Sequence, residues 1–195
     1  MKKYIFITLI FSIFLNVSCV TDDTCIQTKY VKLTANFYVV NPNDSIIANR
    51  IKGFYVDSIT VQGLKYDSIT KLYQSVDSIL YNNKKVNTID LPLNNNSTVS
   101  IFKLKFKLKL KSVVDTMTIY HSNINDYLSL ECGCIVTHAI DKVTTTYHYI
   151  DSARIKVYEV NTINAENIRI YTDSDKIKNN KVNTINAENI RLFNK

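Results

Sequence analysis

The chain has 195 residues, a formal charge of +7 and 46% hydrophobic residues, a length that one domain fills and that buries a core without metals or many disulfides. Three glycines are too few for a phosphate-cradling loop, and no Gly-x-Ser-x-Gly, Asp-x-Asp-x-Asp-Gly or doubled Cys/His ligand spacing occurs. Nucleotide, acyl-transfer, calcium-loop and zinc-finger chemistries therefore have no motif to rest on, and basic residues interleaved with acids argue for ordinary solvation, not for a nucleic-acid partner.

The first element is a leader. Lys2 and Lys3 precede an apolar-rich run of twelve residues, Tyr4 to Leu15, which stops in Asn16-Val17-Ser18-Cys19. A cationic start, a short apolar stretch and small residues before a cysteine mark a signal peptide over residues 1–18 with lipid attachment at Cys19, and the run falls short of the ~20 residues that span a bilayer. Cleavage removes two lysines, leaving about +5 on about 177 residues. The expected order is the signal peptide, a lipid-anchored segment over 19–30, a domain over 31–172 and a duplicated terminal segment over 173–195.

With three Gly and two Pro, turns fall to Asn and Asp, as at Asn41 to Asp44, Asn82-Asn83, Asn94 to Asn96 and Asn123 to Asp126. Between them lie runs rich in Val, Ile, Thr and Tyr: Val31 to Val40, Phe54 to Val61, Thr116 to Tyr120, Leu128 to Ile140, Val143 to Ile150 and Ala153 to Val160. The clearest strand is Ile101 to Lys111, where Phe102, Leu104, Phe106, Leu108 and Leu110 alternate with Lys103, Lys105, Lys107, Lys109 and Lys111. A period of two puts all five apolar side chains on one face. The lysines read as a solvated outer face that also shields a hydrophobic edge from aggregation. No stretch of the mature chain carries a helical stripe, so the fold expected is an antiparallel β-sandwich of about seven to nine strands, with a small barrel as the alternative.

Two repeats stand out. Asp-Ser-Ile recurs at Asp57, Asp67 and Asp77 in turn-like settings, and the decapeptide Val160 to Arg169 returns letter for letter at Val182 to Arg191. Two copies are too few for a solenoid. The first copy follows the Ala153 strand and is the one expected to pair in the sheet.

Glu131-Cys132-Gly133-Cys134 is the motif closest to chemistry. In an extended segment Cys132, Cys134 and His138 share a face, but Cys132 and His138 would lie ~20 Å apart at ~3.3 Å per residue, too far for one zinc ion. With Cys19 lipidated, Cys25, Cys132 and Cys134 remain, which permits a bridge from Cys25 to Cys132 or Cys134 and leaves one thiol over. Buried free thiols and a Cys-Gly-Cys redox couple are the other readings, the last weakened by strand-like flanks where a thiol-activating helix start is expected. His121, His138 and His148 each sit in or beside a strand-like run and read as structural histidines.

The order of Cys19, Asp22-Asp23, Cys25, Phe37-Tyr38, Leu91-Pro92-Leu93, Asp115-Thr116, Glu131 to Cys134, Ile150-Asp151-Ser152 and Glu166-Asn167-Ile168 resembles an uncharacterised group of Bacteroidota lipoproteins, domain of unknown function 6452. The likeness runs over nearly all of the mature chain and implies a small cell-envelope lipoprotein with no catalytic residues to carry over. Asp22 and Asp23 resemble the export signal that sends such lipoproteins to the outer leaflet. The extra Asp-Ser-Ile stretch near Asp67 to Leu80 and the tail after Tyr171 depart from that pattern.

The function expected is a non-enzymatic binding or structural module, held on the outer membrane through Cys19 at its periplasmic or cell-surface face. It needs no cofactor and no nucleic acid, and an envelope protein or glycan is the candidate partner, for which thirteen Tyr and eight Phe supply ring surface. The alternative is a thiol-redox or metal-handling protein using Cys132 and Cys134.

Overall fold

The computed structural model describes residues 31–41, 43, 45–46, 50–67, 70, 72–108, 111–129, 133–163, 165–174 and 177, with backbone alone at 76–78. Among these residues eleven strands, more than the seven to nine expected, follow in chain order: β1 (Leu33–Val40), β2 (Ile51–Gly53), β3 (Val56–Asp67), β4 (Leu72–Val86), β5 (Thr88–Leu91), β6 (Val99–Lys107), β7 (Ser112–Ser129), β8 (Gly133–Thr145), β9 (Ser152–Ile155), β10 (Glu159–Val160) and β11 (Glu166–Asp173). They form a sandwich of two sheets. One has the order β2-β1-β11-β9, with β5 also on β1; the other has the order β10-β8-β7-β6-β3-β4.

Alternation builds both inner faces. In β6, Ser100, Phe102, Leu104 and Phe106 are buried while Lys103, Lys105 and Lys107 point outward, as the period of two requires. Opposite them, Leu33, Ala35 and Phe37 of β1, Ile89 and Leu91 of β5, and Ile168 and Ile170 of β11 complete one core with Ile59, Val61, Met117, Ile119 and Ile140. Phe37 meets Phe106 edge-on at 6.2 Å, tying the two sheets at their centre. Each large side chain buried this way contributes roughly 1.5 to 3 kcal/mol.

Several expectations change. The sheets are antiparallel except at β1 and β11, which run parallel (Ala35↔Ile168, Phe37↔Ile170), a pairing open to strands far apart in sequence. β7 runs straight through Asn123 to Asp126, where a turn was expected, because β8 supplies partners along that whole stretch. Leu128 to Ile140 is split between β7 and β8 and is not one strand. β4 passes through Asn82-Asn83, absorbing the positive φ of Asn83 (48°) within an irregular β3–β4 ladder. Of the Asp-Ser-Ile repeats only Asp67 takes a turn role, accepting from Thr70 N–H (3.4 Å) and Gln74 Nε2 (2.9 Å); Asp57 and Asp77 lie inside strands. The lysines of β6 guard no edge, since β6 lies between β3 and β7. β6 also ends at Lys107, and the Leu108 N–H bonds the Lys111 carbonyl at 2.8 Å. Leu110 and Lys109 lie outside the described residues. Among the described residues no helix is long and apolar enough to cross a membrane.

Candidate functional site

A cavity of about 650 Å³ opens where the start of β3, the irregular part of β4, the end of β6 and the loop after β8 meet. Its apolar wall is Phe54, Val56, Leu108, Tyr149 and Ile177; Tyr55, half exposed, flanks the opening, and Asp57, Ser58, Asn83, Lys85 and Lys107 supply the polar groups. The β3–β4 irregularity shapes it. Asn83 N–H bonds Thr60 Oγ1 (3.2 Å), and the Ser58 and Thr60 hydroxyls both reach Asn83 Oδ1 (3.5 Å), so the positive-φ residue is pinned from the neighbouring strand. Lys85 pairs with Asp57 at 3.6 Å, whereas Lys107 has no acidic partner among the described residues. Among the described residues the cavity lining has no histidine or cysteine, so no imidazole of theirs stands beside Ser58 as a base.

Tyr149 is the buried ring of this wall, stacked on Phe106 at 4.4 Å. Burial, with help from Asp57 and Asp151, pushes its phenol up to about 12, which keeps it a neutral hydrogen-bond donor. Its position is set from below by Asp115, a fully buried carboxylate on β7. Asp115 Oδ1 accepts from His148 N–H (2.7 Å) and the Thr146 hydroxyl (2.8 Å), and Oδ2 accepts from Tyr149 N–H (2.8 Å) and Ile150 N–H (2.9 Å). Burial raises the carboxyl's pKa, but the bonds from Ile150, His148, Tyr149 and Thr146 outweigh it and hold the group below its ordinary value.

A second polar cluster lies at the β5–β6 connection. Asn123 Nδ2 donates to the carbonyls of Asn94, Asn95 and Ser97 (3.3, 2.8 and 3.0 Å), which can only accept, so its Oδ1 must face the histidines. His121 Nδ1 (3.0 Å) and His138 Nδ1 (2.8 Å) both donate to that oxygen. The remaining His121 nitrogen, Nε2, then accepts from the Ser100 hydroxyl at 2.8 Å. Ser100, His121 and Asn123 thus have the spacing of a nucleophile, a base and its orienting group. Ser100 is only 4% exposed, however, and its oxygen already accepts Asn94 N–H at 2.8 Å, so the cluster locks the connection onto β7 and β8. The structural reading of His121 and His138 fits this arrangement; His148 instead bonds Asp115 (3.2 Å) from an exposed position.

Residues 58–172 match the family of unknown function DUF6452. The chain belongs to the DUF6452 family. No curated protein and no solved structure matches it. The DUF6452 span is narrower than the near-complete likeness expected from motif order: it includes Ser58, Asn83, Lys85, Lys107, Asp115, Tyr149 and the whole histidine cluster, and leaves β1, β2 and Phe54 to Asp57 outside.

Of the site residues expected from sequence, Cys19, Asp22, Asp23, Cys25 and Cys132 lie outside the described residues of this DUF6452 protein. Cys134 is an exposed free thiol, opposite Tyr127 on β7 and preceded by Gly133 at φ 71°. It shares a face of β8 with His138, as the alternation implies, but His138 is 2% exposed and committed to Asn123, so the two form no joint site. No group of three metal-binding side chains occurs among the described residues. The sequence gives no sign of the cavity, and it places Asp115 only within the order of family motifs, without a role. Asp115 had a signal: it stands in phase with Met117 and Ile119 on the inward face of β7, where a charge must be compensated.

Proposed function

We propose that this DUF6452 protein is an exported, lipid-anchored and non-enzymatic binding module that takes an acidic saccharide of the cell envelope in the cavity beside Tyr149. The observation that carries the reading is the composition of the cavity. An exposed ring at Tyr55 offers a stacking surface for a sugar face, while Ser58, Asn83 and Asp57 offer donors and acceptors for hydroxyls. Lys107, with no acidic partner among the described residues, is a counter-charge for a carboxylate. The cavity's volume, about 650 Å³, lies within the range of small-ligand sites. Lipid attachment at Cys19 would hold the cavity close to envelope glycans, with Asp22 and Asp23 directing the anchored protein outward.

Isothermal titration with an oligogalacturonate tetrasaccharide and with neutral galactotetraose tests the ligand. Binding should be stronger for the acid, Lys107→Ala should remove about tenfold of that preference, and Tyr55→Ala should weaken both sugars. Absence of binding to either sugar by the unaltered protein defeats the saccharide reading. The anchor has its own check. Cys19→Ser should move the protein from the membrane to the soluble fraction or leave its leader uncut; unchanged fractionation with fatty-acid label still incorporated defeats lipidation at this residue.

A further inference from the structure

β11 is an interior strand between β1 and β9, with Ile168 (0%) and Ile170 (1%) turned into the core. Side chains in its first half hold it there. Asn167 accepts Thr34 N–H (3.0 Å) and donates to the carbonyls of Val157 (3.3 Å) and Glu159 (2.8 Å). Glu166 accepts from the Tyr38 hydroxyl (2.5 Å), Lys156 (2.5 Å) and Arg169 (3.2 Å), and Arg169 also lies over the Tyr38 ring.

The whole set recurs in the terminal copy, where Glu188, Asn189, Ile190 and Arg191 stand for Glu166, Asn167, Ile168 and Arg169. The correspondence runs past the identical residues. Ile177 and Lys178 repeat Ile155 and Lys156, and Leu192 and Phe193 stand for Ile170 and Tyr171. By sequence Lys178 corresponds to Lys156, the ion-pair partner of Glu166, and Phe193 to Tyr171, whose ring meets Tyr38 and Arg154. The acceptors for Asn167 are backbone carbonyls 10 and 8 residues upstream, which the terminal copy carries whatever its side chains.

We propose that residues 178–193 are a second occupant of the β10–β11 place, able to replace residues 156–171 within the same chain and release the first copy as a loop. Two terms disfavour the exchanged form. The Thr172 hydroxyl bond to the Tyr149 carbonyl (2.6 Å) is lost, since Asn194 stands at that position. Residues 156–177 must also close as a new loop between Ile155 and Lys178, and the loop-closure entropy of those 22 residues weighs at roughly a hundredfold in the equilibrium. Both are small beside the loss of an interior strand, so damage to the first copy shifts the chain to the second. The tether holds the second copy near its own sheet at about millimolar effective concentration, which favours exchange within one chain over exchange between two. Exchange also withdraws Ile177 from the cavity wall, linking the β11 place to the cavity. The exchange itself does not depend on what the cavity binds.

Three variants of the full chain test it. Ile190→Asp is expected to leave the urea midpoint unchanged. Ile168→Asp is expected to stay folded and monomeric, with amide-exchange protection moved from 166–173 to 188–195, while the double variant unfolds. A second measurement avoids core damage: with Tyr38→Cys and Phe193→Cys together, the exchanged strand brings the two positions side by side as Tyr38 and Tyr171 are now, and a 38–193 disulfide should accumulate within one chain under mild oxidation. An Ile168→Asp chain as unfolded as the double variant, or no 38–193 bridge, overturns the proposal. A folded Ile168→Asp chain that sediments as a dimer overturns exchange within one chain and shows that two copies trade strands.

Discussion

Asp115→Ala is expected to cost about 3 to 5 kcal/mol in urea unfolding, the larger of the two strongest single-residue effects. The carboxylate is fully buried and satisfies the N–H groups of His148, Tyr149 and Ile150 together with the Thr146 hydroxyl. Alanine leaves the buried Tyr149 and Ile150 N–H groups without a partner, each costing roughly 1 to 3 kcal/mol, and takes one bond from each of the exposed His148 and Thr146. Asp115→Asn should recover little. Its single carbonyl oxygen can serve either the His148–Thr146 pair or the Tyr149–Ile150 pair, and its NH₂ then points at the other pair of donors. Because the same bonds hold the Tyr149 backbone, the variant should also lose the saccharide binding proposed for the cavity at temperatures where it is still folded. A loss below 1 kcal/mol would mean that water reaches these donors, and the carboxylate would then not be what fixes the loop.

The strands were legible where apolar and polar residues alternate without interruption. Phe102, Leu104 and Phe106 against Lys103, Lys105 and Lys107 define an inner and an outer face by themselves, and β6 obeys them. Elements that depend on a distant partner were not legible. The first copy of the repeat pairs in the sheet as β11, as expected, but the burial of Asn167 could not be read, because Thr34, Val157 and Glu159 satisfy its amide from elsewhere in the chain. The Asn-rich stretches misled for the same reason. Asn123 carries a turn residue's propensity, but three carbonyls at the β5–β6 connection and two imidazoles bind its side chain, and tertiary bonds of that number override a local preference. The cavity was illegible because its walls come from residues as far apart as Phe54 and Tyr149, brought together by the sheet order and by the Asp115 loop. The histidines could be read as structural one by one, but their convergence on one Asn oxygen could not.

That convergence gives the second strong expectation, a loss of stability between pH 6.5 and pH 4 set by histidine and not by carboxylates. Burial, with the neighbouring His121 ring adding to it, pushes His138 down to about 4, and burial also lowers His121 against the opposing help of Asn123 and Asp141. In the unfolded chain a histidine titrates near 6.5. Between those values the unfolded state binds a proton that the folded state refuses, so stability is complete above about pH 6.5 and falls as pH drops toward 4. At 1.36 kcal/mol per pH unit the His138 share reaches about 3 kcal/mol by pH 4, and His121 adds in the same direction. The carboxylates act later. Asp115 and Glu166 are both held below their ordinary values, so what they contribute is lost only as pH falls through the acidic range beneath the histidine window. His138→Asn separates the two, because the Asn amide takes the place of Nδ1–H toward Asn123 and cannot titrate. Urea midpoints measured from pH 7.5 to 4.5 should decline for the unaltered protein and stay nearly level for His138→Asn down to about pH 5, with His121 accounting for the residual slope. Parallel declines in the two proteins would place the acid sensitivity elsewhere and return the two imidazoles to a purely packing role.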